Sequence, residues 1–277
     1  MRILFSFVLL LGLIPTLCMA QTPTCDTLKG ETKAVAQEVM SKAYLYDCCD
    51  ETITKCLAKT PTCSLATRLA NEVCRLAKDG KSAQDITRTL EQRASTMTDI
   101  NPSVDIALKP ENIWGNPEAK VILSIYLCGR CPYCSRHVPA MLRAIESAGL
   151  KDKLAVNLRL FPIKTHDHST EAALAIEAAA KMGQAWPYII KLYENFDAFS
   201  LNSISKYASE LNMDATQFST LLKDKATRAA VVDSKKEGLK NTVASTPTFF
   251  INGHKVEGIF DVDSMISMLE EAIEKNP

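Results

Sequence analysis

The apolar positions of the first hundred residues follow a helical period. Val35, Val39, Ala43 and Tyr46 recur at spacings of four, four and three, which places them on one face of a helix. The same pattern and its end signals predict three further helices: a short one over 50–58, one that buries Leu65 to Leu76, and one after Ser82 that buries Ile86, Leu90 and Met97. Since no strand pattern occurs here, a small all-α domain of three or four helices is expected.

The rest of the chain mixes strand-like and helical segments. The apolar, β-prone runs 121–127 and 154–163 predict two strands. Every periodic segment between 168 and 238 is helical. This alternation predicts an α/β domain in which a long helical segment separates the second strand from the third.

The C-terminal end adds a hairpin and a helix. Residues 249–251 are β-prone, and Asn252-Gly253 is a strong two-residue hairpin turn that leads to a strand near 256–259. The apolar spacing over 261–275 predicts a last helix that covers the sheet. Upstream, Asn101-Pro102 and Lys109-Pro110 mark residues 99–111 as a linker.

Residues 1–20 are predicted to be a secretory signal peptide. Arg2 supplies the positive end, Ile3 to Leu17 the apolar core, and Ala20 a small residue at the cleavage edge. The apolar run is too short to span a bilayer comfortably and contains Pro15. Export implies an oxidising compartment in which disulfides persist. The expected organisation is therefore a signal peptide over 1–20, a cysteine-rich helical domain over 21–98, a linker over 99–111 and an α/β domain over 112–277.

Composition narrows the range of partners. Lys and Arg together number 32, as do Asp and Glu. Because there is no basic excess, neither nucleic acid nor an anionic membrane surface is expected as a partner.

Six of the ten cysteines lie in the helical domain, at positions 25, 48, 49, 56, 63 and 74. Fifteen pairings are open to them. Cys63 and Cys74 are about three helical turns apart, so they should have different partners. Three structural disulfides are one interpretation. A redox relay around the adjacent Cys48 and Cys49 is a second, and a metal or cluster site is a third.

Cys131-Pro132-Tyr133-Cys134 follows the first predicted strand of the α/β domain and precedes a helix. Pro132 suits the first helical position. Cys131 would then lie at the helix N-terminus, where free N–H groups and the helix dipole stabilise a thiolate. Cys131 is expected to be the exposed thiol with a low pKa, and Cys134 would be shielded one turn further in. The spacing also occurs in zinc sites, but its place at a strand-to-helix turn favours redox chemistry.

Together with Ser245-Thr246-Pro247-Thr248-Phe249, this turn resembles the thioredoxin superfamily. The resemblance extends to its DsbA-like branch through Gly115 to Val121, Cys131 to His137, Phe161-Pro162 and Thr246 to Gly253. It implies a thioredoxin fold with a DsbA-like helical insertion, Cys131 and Cys134 as catalytic thiols, and Thr246 and Pro247 as substrate-binding residues after a cis peptide bond. No cofactor and no metal are expected.

Two positions depart from that family pattern. Where the family often has a buried acid, six residues before the first cysteine, the chain has Ile125. Cys128, three residues before Cys131, is an extra thiol that we expect to be free and exposed or half-buried, with a bond to the helical domain as the alternative. His166 and His168 could bind a metal ion as a pair, although we prefer to interpret them as polar residues that precede the next helix.

The helical domain also resembles the three-helix domain of CcmH-like thiol proteins in its Cys48 to Ile53 segment. This resemblance is taken to indicate the fold alone.

The expected function is a periplasmic or secreted thiol:disulfide oxidoreductase that forms disulfides in exported proteins. Its partners would be unfolded or exported cysteine-containing proteins and a membrane redox protein, DsbB-like or VKOR-like, as the resemblance implies. One alternative is a reductase or isomerase in the same compartment. Another is a non-catalytic protein that binds a partner or a metal, with the thioredoxin-like part as scaffold.

Overall fold

The computed structural model describes residues 23–258 and 261–276 and divides the chain into two compact units between Ala83 and Gln84. The predicted signal peptide lies outside the described residues. We describe each unit separately.

Over its described residues, 23–83, the first unit contains the helices α1 (Pro23–Asp26), α2 (Gly30–Lys42), α3 (Ile53–Leu57) and α4 (Ser64–Lys78). Its core includes Val39, Ile53, Leu69 and Val73, each at most 2% exposed. These residues lie at the apolar positions of the predicted helical faces, which confirms a helical domain in this region.

Three disulfides connect the elements of the first unit: Cys25–Cys74, Cys48–Cys63 and Cys49–Cys56. The interpretation of the six cysteines as structural bridges is confirmed, and so is the expectation that Cys63 and Cys74 have different partners. The adjacent cysteines do not bond to each other, since each one reaches a separate position further along the chain. In a unit with a thin core, such bridges supply stability that packing alone lacks.

Helix α5 (Ala83–Met97) was predicted to close the helical domain, yet almost all of it belongs to the second unit. The Arg93 guanidinium is fully buried and forms an ion pair of 2.8 Å with Glu271, and it donates to the Ser267 hydroxyl at 3.1 Å. Both partners lie on the C-terminal helix, α12 (Val262–Lys275). The boundary between the two units therefore lies at the beginning of α5 rather than after residue 98. The sequence could not show this, because the spacing of apolar residues predicts a helix but not the surface on which the helix packs.

The second unit is built on a five-stranded sheet in the order β1-β3-β2-β4-β5. The strands are β1 (Ile113–Gly115), β2 (Val121–Leu127), β3 (Leu154–Leu160), β4 (Thr248–Ile251) and β5 (His254–Lys255). Strands β2 and β3 are parallel, and the other pairs are antiparallel. The last strand is shorter and earlier than the predicted 256–259, because Asn252 and Gly253 both take positive φ and complete the turn at once.

The helices of the second unit after α5 are α6 (Pro132–Ser147), α7 (Ser169–Ala180), α8 (Ala185–Glu194), α9 (Ser203–Glu210), α10 (Ala215–Lys223) and α11 (Lys225–Lys240), followed by α12. Two short 3₁₀ turns lie over Pro110–Asn112 and Lys151–Lys153. The five helices from α7 to α11 lie between β3 and β4, which confirms the predicted helical insertion. The α/β class and the thioredoxin fold are thus as expected.

The two faces of the sheet have different surroundings. Leu123, Ile125 and Leu127 alternate along β2 and belong to the main core with α6, α7 and α12. Tyr126 points the other way, into a smaller cluster with Phe161 and Phe250. This alternation follows from the strand period of two.

The segment predicted as a linker is bound to the second unit. Val104 N–H donates to the Gly253 carbonyl at 3.0 Å, and Ala107 N–H donates to the Glu237 carboxylate at 2.9 Å. Asn157 Nδ2, on β3, donates to the Ala107 carbonyl at 3.1 Å. Residues 99–109 therefore form an extended strap along the α/β unit, without regular secondary structure.

Candidate active site

The Cys131–Cys134 turn lies where β2 ends and α6 begins. Cys131 is the N-cap residue, and Pro132 occupies the first helical turn, as predicted. The Cys131 N–H donates to the Cys128 carbonyl at 3.1 Å, and the Ser135 N–H donates to the Cys131 carbonyl at 3.0 Å. The turn thus holds the first cysteine at the positive end of the helix.

Packing against the helical insertion holds the preceding residues in place. A Cβ at Gly129 would lie 3.0 Å from Ile176 Cδ1 and 3.1 Å from Ala172 Cβ, closer than ordinary contact, so any side chain here would require its neighbours on α7 to shift. The Arg130 guanidinium lies over the rings of Phe196 and Phe199, at 4.3 and 4.7 Å from their centroids. These contacts fix the loop before the cysteines.

The Thr246-Pro247 loop faces the cysteine pair. The peptide bond between the two residues is cis, as predicted. Cys131 Sγ lies 3.2 Å from the Thr246 carbonyl oxygen. The buried Thr246 hydroxyl has no partner by conventional hydrogen-bond geometry among the described residues, yet it is near enough to lower the pKa of both thiols. The structure thus brings together all four residues predicted from the sequence.

The two cysteines have opposite protonation preferences. A hydrogen bond from Cys134 is the largest influence on Cys131 and, with Thr246 and backbone N–H groups, lowers its pKa to about 5. Burial raises the pKa of Cys134 well above its usual value, and the hydrogen bond with Cys131 raises it further. Near neutral pH, Cys131 is therefore a thiolate and Cys134 a thiol that donates to it.

The expectation that Cys131 is exposed is wrong, since the residue is only 2% exposed. Tyr133, by contrast, is 60% exposed. The cysteine is covered because the Thr246 backbone approaches it across the turn. A substrate sulfur would have to enter along the surface beside Tyr133 and Pro247.

Cys128 is free, as expected, but it is buried rather than half exposed. Its Sγ lies 3.5 Å from His166 Nδ1. Burial is the main reason that its pKa is raised. From the sequence, His166 was either a member of a metal-binding pair or a polar residue before α7. Its contact with the Cys128 thiol depends on the conformation of a loop, which no local sequence pattern predicts.

His168 is the N-cap of α7 and takes a left-handed conformation, with φ of 56°. The preferred interpretation of the two histidines as a polar lead-in therefore holds for this residue. Within residues 23–258 and 261–276, no group of three or more His, Cys, Asp or Glu side chains is arranged to hold a metal ion.

Tyr193 is a further site residue that the sequence did not indicate. It lies on α8, is buried, and donates from its hydroxyl to the Cys128 carbonyl at 3.1 Å. In the sequence it is one more apolar position of an amphipathic helix, so nothing local distinguishes it from a core residue.

A groove of about 520 Å³ lies beside the cysteine turn. Its lining is mainly apolar and includes Tyr133, Pro247, Phe249, Val256 and Met265. Its polar lining residues include His137, Lys255 and Glu257. The groove is continuous with the loop that faces Cys131.

A thioredoxin family model matches residues 108–271, more than half of the chain. The chain is 31% identical over 163 residues to the Na(+)/H(+) antiporter NhaA 1 of Mycobacterium sp. (strain KMS), a match that covers 58% of this chain but only 26% of the antiporter. No helix within the described residues of our chain is long and apolar enough to cross a membrane.

Solved structures share the fold of the second unit. Oxidised BdbD from Bacillus subtilis superposes with a TM-score of 0.53 at 18% identity, covering 63% of this chain and all of that one. The alpha-DsbA1 protein of Wolbachia pipientis gives 0.52 at 18% identity, over 61% of this chain and 94% of its own. The chain therefore belongs to the thioredoxin family and has the DsbA-like form of its fold.

Proposed function

We propose that the protein is a thiol:disulfide oxidoreductase that forms disulfide bonds in exported proteins, with Cys131 as the attacking and Cys134 as the resolving cysteine. The single observation that carries the proposal is the geometry of the pair: Cys131 is the N-cap of α6, 3.2 Å from the Thr246 carbonyl that precedes the cis Pro247, and Cys134 is completely buried one turn further in. The lowered pKa of Cys131 and the raised pKa of Cys134 agree with these roles. Exchange needs one cysteine that leaves or attacks as thiolate and a second that completes the disulfide.

The reaction begins with the Cys131–Cys134 disulfide. A substrate thiolate attacks Cys131 Sγ, the bond between the two cysteines breaks, and Cys134 leaves as a thiolate that takes up a proton. A second substrate thiolate then attacks the substrate sulfur of this mixed disulfide, and Cys131 leaves as the stabilised thiolate. The substrate loses two electrons and two protons. The protein gains the two electrons and one of the protons, and the other proton goes to water.

The groove is a suitable binding surface for an extended peptide. Its apolar wall of Tyr133, Phe249, Val256 and Met265 suits the side chains of an unfolded segment. The Thr246 backbone next to Pro247 would pair with the peptide beside the reacting sulfur. These features fit an unfolded, exported cysteine-containing protein better than a small thiol.

The low pKa of Cys131 favours oxidation over reduction. A group that stabilises the thiolate stabilises the reduced protein, which makes its disulfide more oxidising. The test is the reduction potential of the Cys131–Cys134 couple in glutathione buffers. We expect a value toward the oxidase end, about −120 mV, whereas one near the thioredoxin end, about −270 mV, would favour the reductase alternative.

A second assay tests the activity directly. The oxidised protein should form disulfides in a reduced, unfolded substrate in stoichiometric amount, and Cys131→Ser should not. Cys128→Ala serves as a matched control that removes a neighbouring thiol outside the proposed pair. Equal oxidation by the wild-type protein and Cys131→Ser would overturn the assignment and favour the scaffold alternative.

The proposed compartment is the periplasm or the exterior of the cell. Three disulfides in the first unit support it, because such bridges persist in oxidising compartments. A repeated reaction there needs an acceptor for the electrons, for which a membrane redox protein of the DsbB or VKOR type is the proposed partner. Fractionation of cells that express the full chain, with the redox state of Cys131 followed by alkylation, checks both points.

A further inference from the structure

The buried thiol Cys134 has to carry charge during the proposed reaction. When the Cys131–Cys134 bond breaks, Cys134 leaves with the electron pair as a thiolate inside the core. The residue is completely buried, and burial is the main reason that its pKa is raised. A buried charge without hydrogen-bond donors is costly, so the rate of bond opening depends on the polar groups around this sulfur.

Few polar groups surround Cys134. Cys131 and the Thr246 hydroxyl approach it from the side of the substrate groove, and a backbone hydrogen bond involves Cys128. Behind it, the residue six positions before the first cysteine is Ile125, which is completely buried and apolar. On the side of the helical insertion, the buried Tyr193 hydroxyl of α8 lies against the loop that carries the cysteines, 3.1 Å from the Cys128 carbonyl, and Cys134 is one of the thiols that raise its pKa.

The Tyr193 hydroxyl is held in a defined position. Its bond of 3.1 Å to the Cys128 carbonyl connects α8 to the loop that carries the cysteines. Burial raises the pKa of Tyr193, and the neighbouring thiols Cys134, Cys128 and Cys131 raise it further, so the hydroxyl keeps its proton. A tyrosine that stays protonated is available as a hydrogen-bond donor whenever a thiolate forms beside it.

We propose that the Tyr193 hydroxyl donates a hydrogen bond to Cys134 as it leaves as a thiolate, and so accelerates opening of the Cys131–Cys134 disulfide. The inference rests on the proposed function and adds a residue from the helical insertion to the reacting site. In the resting state the hydroxyl donates to the Cys128 carbonyl. During the reaction it turns to the sulfur, which then takes up a proton from water.

The matched pair of variants is Tyr193→Phe and Tyr188→Phe. Both tyrosines lie on α8, both are buried, and each donates to a backbone carbonyl, Tyr188 to Ile204 at 3.0 Å. Only Tyr193 is near the thiols. Any general effect of removing a buried hydroxyl from this helix therefore appears in both variants.

The first measurement is the rate at which dithiothreitol opens the disulfide of each oxidised protein. A hydrogen bond to a charged group corresponds to about 10- to 100-fold in rate. We expect Tyr193→Phe to be slower than wild type by about that factor, and Tyr188→Phe to match wild type. Equal rates for the two variants would overturn the inference.

The second measurement is the pKa of Cys134 in a Cys128→Ala/Cys131→Ser background, where it is the remaining free thiol among the described residues. Thiolate absorbance during a pH titration should show that Tyr193→Phe raises this pKa by about one unit or more. A purely structural role would leave it unchanged. An inert wild-type disulfide would overturn the proposed function, while this titration would still decide the role of the hydroxyl.

If Tyr193→Phe does not fold, the wild-type protein with isotope-labelled tyrosine provides a further test. The ring carbon that bears the hydroxyl should change its resonance for Tyr193, and not for Tyr188, between the disulfide and dithiol forms. An unchanged Tyr193 resonance would contradict the inference.

Discussion

The two units use the same residue in opposite ways. All six cysteines described in the first unit form disulfides, and all three in the second are free thiols. In the first unit the cysteines bridge the helices and loops of a small domain. In the second, a large core already holds the fold, and a helix N-terminus and a facing loop control the charge of each sulfur. The comparison shows that surroundings rather than spacing decide whether a cysteine is structural or reactive.

The largest difference between the units should appear when the attacking cysteine is removed from the second unit and one disulfide from the first. Cys131→Ser is expected to abolish oxidation of a reduced peptide, because no other thiolate is stabilised at the turn. Cys25→Ala/Cys74→Ala, which removes a whole bridge, should leave the rate per folded molecule close to wild type. Oxidation rates corrected for the folded fraction check this, and comparable losses in both variants would remove the distinction.

The next effect concerns the placement of α5. Arg93→Ala removes the buried partner of Glu271 and leaves this carboxylate with its ion pair of 3.0 Å to the partly exposed Lys275. Breaking a buried pair on one side costs about 3–5 kcal/mol, and the remaining pair places the expected cost toward the lower end of that range. We expect a loss of that size in the free energy of unfolding of the second unit, measured in urea.

Arg88→Ala is the matched control for this experiment. Arg88 lies on the same helix, and its ion pair with Asp85 is exposed. Such pairs contribute about 0.2–1 kcal/mol. Similar effects of Arg88→Ala and Arg93→Ala would mean that α5 does not anchor the second unit.

Loss of a bridge should destabilise the first unit selectively. Removing Cys25–Cys74 is expected to cost about 2–5 kcal/mol. Hydrogen exchange should then accelerate over residues 23–82, while α5 and the sheet of the second unit keep their protection. Exchange of α5 together with α1 to α4 would place the division after residue 98 instead.

A smaller effect is the pH dependence of stability and of thiol reactivity that the ionisation of Cys131 causes. Its pKa of about 5 lies below the usual value, so its ionisation stabilises the reduced protein relative to the unfolded chain. This contribution is fully present above about pH 9, decreases toward acid pH and is lost below about pH 5. The rate of alkylation by iodoacetamide should rise with a midpoint near pH 5. Cys134→Ala should move the midpoint upward, because the main hydrogen bond is lost, and an unchanged midpoint would contradict that cause.

The smallest expected effect is that of Cys128→Ala. A buried free cysteine behaves as a small apolar residue, so the substitution should cost about 1 kcal/mol or less and leave oxidation nearly unchanged. Mass spectrometry of the oxidised protein should find Cys128 unbridged. A bond from Cys128 to the first unit would contradict the separation of structural and reactive cysteines.

Much of the molecule could be predicted from local patterns. The helix over 30–42 and the strands over 121–127 and 154–160 overlap the predicted segments, because burial of one face repeats at the spacing of each element. The predicted ends were less accurate, since Ala43 and Tyr46 lie beyond the end of α2 and β3 ends before residue 163. The active turn was also predictable, since Pro132 and the adjacent cysteines define a helix start. Thr246-Pro247 followed from the same resemblance. These features depend on residues close together in the chain.

Other features depended on contacts between distant residues. The assignment of α5 to the second unit depends on contacts with residues far away in the sequence, among them the pair Arg93 and Glu271. Three features of the site arise where loops and helices from separate segments meet. They are the low exposure of Cys131, the burial of Cys128 beside His166, and the contact of Tyr193 with the Cys128 carbonyl. A pattern of apolar positions records that a side chain is buried, whereas the identity of its neighbours depends on how the elements pack.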